Sequence, residues 1–290
     1  MSGERKALAD VSVAIPASLV SDTPHLREKT AKLGVLARAC SIFGVSEIVI
    51  YLDDERRGLT TDLDLCVEIL SFLQTPPYLR KKLYGIRPSL KYAGILPPLQ
   101  SPHHNVPRSI SESKIGDLRV GIVSSHCSGR IQVEAGLERP LSCRGDLPVG
   151  SVLTLRVTEV GGVLAGEVVD ESKIHIYWGY RVRRAKSKLS RLLEEERYEL
   201  KIGTSRYGIQ VQDVWSEIGK SLRDVKSVLV VFGSPKLGLM EILGQDGLSP
   251  ESKFDFFINT IPEQNVATVR TEEAVLVTLS LLNMMNMRLG

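Results

Sequence analysis

The sequence predicts an α/β fold in which a parallel sheet covered by helices is interrupted by a small β-barrel. Three observations predict it. Apolar β-type runs alternate with helical spacing up to residue 72, and the same alternation resumes at residue 198. Between them, residues 114–176 change to short β-type runs separated by glycine-rich turns.

Taken in order, residues 11–15 form a β-branched run that reads as a strand, and Thr23-Pro24 reads as an N-cap followed by a first-turn proline. Leu26, Leu33, Leu36, Ala37, Cys40 and Phe43 recur at helical spacing until Gly44 stops the pattern. Residues 47–52 read as a second buried strand and 62–72 as a second helix. The pattern then breaks. Prolines and tyrosines are dense over 75–107, and residues 69–111 hold no Asp or Glu while carrying Arg80, Lys81, Lys82, Arg87, Lys91 and Arg108. Five runs, 119–123, 131–135, 152–160, 163–169 and 173–177, suggest the barrel, and its exit is basic again through Arg181, Arg183, Arg184, Lys186, Lys188 and Arg191. Strands at 198–204, 227–233 and 256–261 and helices at 211–222 and 271–287 complete the α/β part. The last helix is apolar nearly all round, which predicts burial on most sides, in the core or against a partner. The domain reading is 1–90 with 180–290 for the α/β part and 91–179 for the insert.

With 290 residues and 43% hydrophobic content the chain can bury a large core. A net charge of +3 leaves any nucleic-acid surface to local clustering. Cys40, Cys66, Cys127 and Cys143 stand far apart without a CxxC pair, which argues against a zinc ribbon or a disulfide framework and for a reducing, cytoplasmic home. No apolar run reaches the roughly 18–20 residues that span a bilayer, and the polar N-terminus MSGERKALAD is no signal peptide. The expectation is a soluble, unprocessed chain without membrane or metal partners.

Three stretches carry a resemblance: GTSRYG (203–208), VLVVFGSPKLGL (228–239) and FFINTIPEQNVATVRTEEAVL (256–276). With ARACSIFGVSEIVIY (37–51) and YLRKKLYGIRPSLKYAGILPPLQSPHH (78–104), the chain resembles the SPOUT class of knotted RNA methyltransferases. The similarity is to the archaeal and eukaryotic branch with an OB-fold insert, which includes ribosomal RNA uridine-N3 methyltransferases. It implies a SPOUT α/β knot with a deep C-terminal trefoil knot, a homodimer through the knot region, and S-adenosylmethionine (SAM) bound in the knot. It also implies that 264–271 closes the cofactor pocket.

Ligands of α/β sheets gather at the carboxyl ends of strands. The candidate cofactor residues are therefore Thr204, Gly233, Ser234, Pro235, Asn259, Thr260 and Ile261, with Gln264, Asn265 and Thr271 from the closing segment. Arg38 lies in GVLARACSIFGV (34–45), which is similar to a motif of ribose-methylating SPOUT enzymes in which an arginine serves catalysis. Those enzymes carry an asparagine where Leu33 stands here. Gly34, one turn before Arg38, has room for substrate beside it in this reading. Arg38 would stabilise developing negative charge or anchor phosphate; a solvated helix arginine fits the same spacing.

A uracil N3 target must be unpaired or flipped out, so a single-stranded or loop RNA is expected. Arg80, Lys81, Lys82, Arg87, His103, His104, Arg183 and Arg184 are the candidate substrate contacts, with Tyr78, Tyr84 and Tyr92 either stacking bases or packing. His103-His104 lacks a second ligand pair for a metal, leaving substrate contact or loop structure. Glu272 and Glu273 read first as acids favoured by a helix N-terminus after Thr271. Ribose 2'-O methylation and a non-catalytic RNA-binding role in ribosome assembly stand as alternatives to uridine-N3 methylation.

Overall fold

The computed structural model describes residues 10–53, 60–160, 163–195, 197–234 and 236–286. The chain divides into two compact units: Met1–Leu73 with Ser89–Pro98 and Tyr180–Gly290, and Gln74–Pro88 with Leu99–Gly179.

The first unit is built on a six-stranded sheet made of β1 (Asp10–Pro16), β2 (Glu47–Tyr51), β8 (Arg181–Arg184), β9 (Leu200–Gln210), β10 (Ser227–Val231) and β11 (Phe256–Asn259). The strand order is β11-β9-β10-β1-β2-β8, and every neighbouring pair is parallel. Val13, Ala14 and Ile15, Ile48 to Tyr51, and Val228 to Val231 are all fully buried. Continuous apolar runs of this kind belong to parallel strands covered on both faces.

Helix α1 (Leu26–Ile42) starts two residues later than Thr23-Pro24 suggests, because extended His25 is its N-cap and Thr23 Oγ1 donates to Asp22 instead. Leu33, Leu36, Ala37 and Cys40 form its buried face, and Gly44, at φ 68°, ends it. Helix α2 (Thr60–Gln74) buries Leu63, Cys66, Ile69, Leu70 and Leu73. After β8, a single turn α4 (Leu189–Leu192) leads into β9. Helices α5 (Trp215–Asp224) and α6 (Leu239–Gly244) flank the sheet, and α7 (Thr271–Asn286) packs against α1 and α5.

Two expectations change here. The basic run after the barrel is in part an edge strand, β8. Helix α7 buries one face, Val275, Thr278, Leu279, Leu282 and Met285, while Leu276 and Met284 remain exposed. Among the described residues no helix is long and apolar enough to cross a membrane.

The second unit is a closed barrel of order β3-β4-β5-β7-β6. Its strands are β3 (Leu118–Cys127), β4 (Arg130–Glu134), β5 (Leu141–Cys143), β6 (Val152–Val160) and β7 (Val163–Val168). Burial alternates along β3 and β4 as one face turns inward onto Val123, Ile131, Val133, Leu155 and Val157. The fifth strand is not 173–177, where the chain makes a 3-10 turn at Glu171–Lys173. Closure comes from the three-residue β5, whose Cys143 pairs with Gly166 of β7. Helix α3 (Pro77–Tyr84) belongs to this unit because Tyr78 is fixed to the barrel. Its hydroxyl donates to Val120 O at 2.8 Å. Its ring covers Gly136, where a Cβ would come within 2.6 Å of it.

Candidate functional site

The carboxyl ends of β9, β10 and β11 open onto one cleft, the position where parallel sheets bind ligands. β9 is able to overrun its neighbours because Gly208 lies flat on β11. A Cβ there would come within 2.6 Å of the Ile258 backbone, and the β9–β11 register shifts between Phe257 and Ile258. Beyond β10, Ser234 N donates to Leu237 O at 2.8 Å, and a Cβ on Gly233 would lie 3.1 Å from Gly238 Cα.

Three threonine hydroxyls of the cleft are spent on its own frame. Thr204 Oγ1 donates to Val231 O at 3.0 Å and Thr271 Oγ1 to Gly233 O at 3.2 Å, while Thr260 and Thr278 bond each other at 2.9 Å. Asn259 accepts from Ile261 N at 3.0 Å and donates to Arg206 O at 3.1 Å; Gln264 holds Val266 O at 2.8 Å. What remains for a ligand is peptide groups and the apolar surfaces of Phe232, Ile261, Val269 and Ala274, with Arg206, Lys236 and Glu241 exposed at the rim. Such walls suit a flat, largely apolar ring system with charged groups at one end.

Thr204, Gly233, Ser234, Asn259, Thr260, Ile261, Gln264 and Thr271 thus meet around one cleft. Asn265 is exposed and outside the lining, and Pro235 lies outside the described residues. Arg206, Tyr207, Lys236 and Glu241 line the cleft without having been singled out; the signal for the first two was their place inside GTSRYG. Arg38 is half-buried on α1 and is not part of the cleft lining. Gly34 makes room for protein and not for substrate, since a Cβ there would meet Pro97 Cδ at 2.8 Å.

On the neighbouring strand ends of β1 and β2, polar groups close on each other. Asp53, buried, accepts from both the backbone N and the hydroxyl of Ser18. Tyr51 donates to Phe232 O at 2.6 Å. Lys32, buried, stands 2.9 Å from Asp22 and 3.7 Å from Glu272, itself buried at the start of α7. Burial holds the Glu272 carboxyl above its usual range against the pull of Lys32.

The expected substrate contacts separate into bound and open groups. Arg183 faces Glu47 at 3.4 Å and Glu195 at 3.5 Å, and Arg184 pairs with Asp64 at 2.7 Å. In the barrel unit, Lys82 pairs with Glu134, Arg80 donates to Thr75 O, and Lys81 is exposed. Arg87 sits over the Tyr84 ring at 5.3 Å.

His103 cannot touch substrate as expected, because it is fully buried. Its Nε2 and that of His104 both donate to Gln74 O at 2.8 Å, pinning the 101–104 turn to the end of α2. Burial, with His104 and Arg80 adding repulsion, pulls the His103 pKa down to about 4. Among the described residues no group of three or more His, Cys, Asp or Glu is placed to hold a metal ion.

An all-parallel sheet with a peptide-lined cleft across three adjacent strand ends, carrying a closed barrel as an insert, defines an α/β protein with a barrel insertion. Residues 10–282 match the family described as "Putative RNA methyltransferase", and the chain belongs to that family. An uncharacterized protein of Halobacterium salinarum is 34% identical over 291 residues, covering 94% of this chain and 98% of its own. The 28S rRNA (uridine-N(3))-methyltransferase of Mus musculus is 32% identical over 306 residues, covering 94% of this chain and 75% of the mouse protein. The protein of that name from Homo sapiens is 32% identical over 307 residues, with 94% and 77% covered.

Proposed function

We propose that this chain is a SAM-dependent RNA methyltransferase of SPOUT type that methylates N3 of a uridine in large-subunit ribosomal RNA. The observation that carries the reading is the convergence of three separate sequence stretches on one cleft within a chain of the RNA methyltransferase family. The relatives named for uridine-N3 methylation, similar over 94% of this chain, supply the target.

The cleft fits SAM by the chemistry of its donors. The hydroxyls of Thr204, Thr260 and Thr271 are already satisfied by the frame, and Ile261, Val269 and Ala274 with nearby peptide groups suit an adenine ring. Lys236 suits a carboxylate and Glu241 an ammonium, the two charges of the methionyl end. When bound, SAM supplies a methyl group on a positively charged sulfur. The chain's part is to hold the acceptor in line with that group and to exclude water.

The strand order supports the trefoil knot: β11 follows β10 in sequence but returns to the far side of β9. A homodimer through the same region is supported by exposed apolar residues on the packed helices α1 and α7, Val35, Ile42, Leu276 and Met284. RNA is held in this reading by the exposed basic residues of α3 and the barrel unit acts as a single-strand platform.

Incubation of the protein with unmodified large-subunit ribosomal RNA and labelled SAM, followed by nucleoside mass spectrometry, tests the reading. Label in N3-methyluridine is expected. Label in a 2'-O-methylated nucleoside would overturn the base target, and unlabelled RNA would overturn methyl transfer itself.

A further inference from the structure

Tyr207 is a large aromatic residue at a ligand cleft, yet it is 63% exposed. Arg206 places its guanidinium carbon 4.7 Å from the ring centroid and donates Nη2 to the phenol oxygen at 2.6 Å. The other arm of the same guanidinium, Nη1, donates to Ala267 O at 3.1 Å, and Arg206 O accepts from Asn259. Tyr207 N donates to Ser205 Oγ at 3.2 Å. The ring is therefore anchored to two walls of the cleft while most of its surface faces solvent. An aromatic held in this way has little rotamer freedom left to lose and much apolar area to cover when a flat partner arrives.

We propose that Tyr207 is the stacking platform for the unpaired nucleobase presented to the cleft, with Arg206 holding the ring in place. This rests on the cleft being the methyl-transfer site. The recognised chemistry is the π face of a base in single-stranded RNA, which every base offers, so the platform sets position and not sequence. Arg206 adds a positive charge beside the stack, suited to the backbone of the same strand.

The test uses the full chain with Tyr207→Leu and Tyr207→Phe, two changes at an exposed side chain. SAM affinity measured by calorimetry should stay within about twofold in both, because the proposed partner is the base. Methylation of unmodified ribosomal RNA should fall about tenfold in kcat/KM for the leucine variant and by less for phenylalanine, which keeps the ring but loses the hydroxyl that Arg206 holds. A leucine variant as active as wild type, or one whose SAM affinity falls in step with its activity, would overturn the platform.

Photo-crosslinking with RNA carrying 5-iodouridine in place of uridine gives a second readout that needs no methyl transfer. A crosslinked peptide containing Tyr207 is expected, and crosslinks confined to other peptides would count against the proposal. If wild-type protein methylates no RNA, the methyltransferase reading fails by itself, and the crosslink still decides on Tyr207.

Discussion

The two halves of the same sheet edge use polar residues in opposite ways. Over β1 and β2, Asp53 is spent on Ser18, Tyr51 on Phe232, and Lys32 on Asp22 and Glu272, all within the protein. Over β9, β10 and β11, Arg206, Lys236 and Glu241 stand exposed around walls of peptide and apolar groups. A buried charge must be partnered internally or it costs several kcal/mol. Hence the first half holds the fold through internal pairs, while Lys236 and Glu241 of the second half stay exposed at the rim of the cleft. Having charges in a cluster does not mark a site; having them exposed around an apolar wall does.

The largest effect should come from erasing the contrast. Ile261→Asp puts a charge onto the apolar wall of the cleft, and SAM affinity measured by calorimetry should fall by about a hundredfold or more. Unchanged affinity would place the cofactor elsewhere.

The closed half should respond in stability and not in ligand binding. Lys32→Met takes from the carboxylates of Asp22 and Glu272 the cation they share, on a side chain that is 6% exposed. Denaturant unfolding should show a loss of about 3 kcal/mol. Glu272 adds a pH signature. Because burial lifts its folded pKa above the unfolded value of 4.5, the folded protein binds that proton more readily than the unfolded chain. Its contribution therefore becomes more favourable as pH falls through the raised pKa, and levels off below 4.5. Glu272→Gln should be at least as stable as wild type at neutral pH, with an advantage that shrinks toward pH 4.5. An advantage that grew on acidification would contradict the burial argument.

The smallest effect extends the same criterion to α3. Lys82 already has Glu134 and Arg80 already has Thr75 O, so replacing Arg80, Lys81 and Lys82 by glutamine should remove few phosphate contacts. The slope of log affinity against log salt in filter binding should become shallower by about one and not by three. No change in slope would argue against α3 as an RNA contact.

Which features were legible follows from where their signal lies. β1, β2 and β10 read directly from β-branched runs, because a strand buried on both faces needs apolar residues throughout. β8 did not, since Arg181–Arg184 is an edge strand whose arginines face carboxylates that are remote in sequence. β5 has three residues, too few for any period to show. Eight of the expected cofactor residues share the cleft because strand ends are fixed by the strands themselves. Arg206 and Tyr207 escaped because only the flat contact at Gly208 reveals that β9 runs on past the expected end. His103 misled in the other direction: a histidine pair looks chemical in sequence, and its burial is a tertiary fact.

The place of the insert in the chain also sets the order of synthesis. β1 lies at the centre of the sheet, yet its partner β10 is made about 200 residues after it, roughly 10–40 s later at about 5–20 residues per second. The whole barrel emerges inside that interval and draws on strands that are close together in sequence. On a translating ribosome the nascent chain therefore presents one finished barrel beside a β1–β2 pair whose apolar edge is still bare. That edge persists until β10 leaves the exit tunnel and pairs with β1.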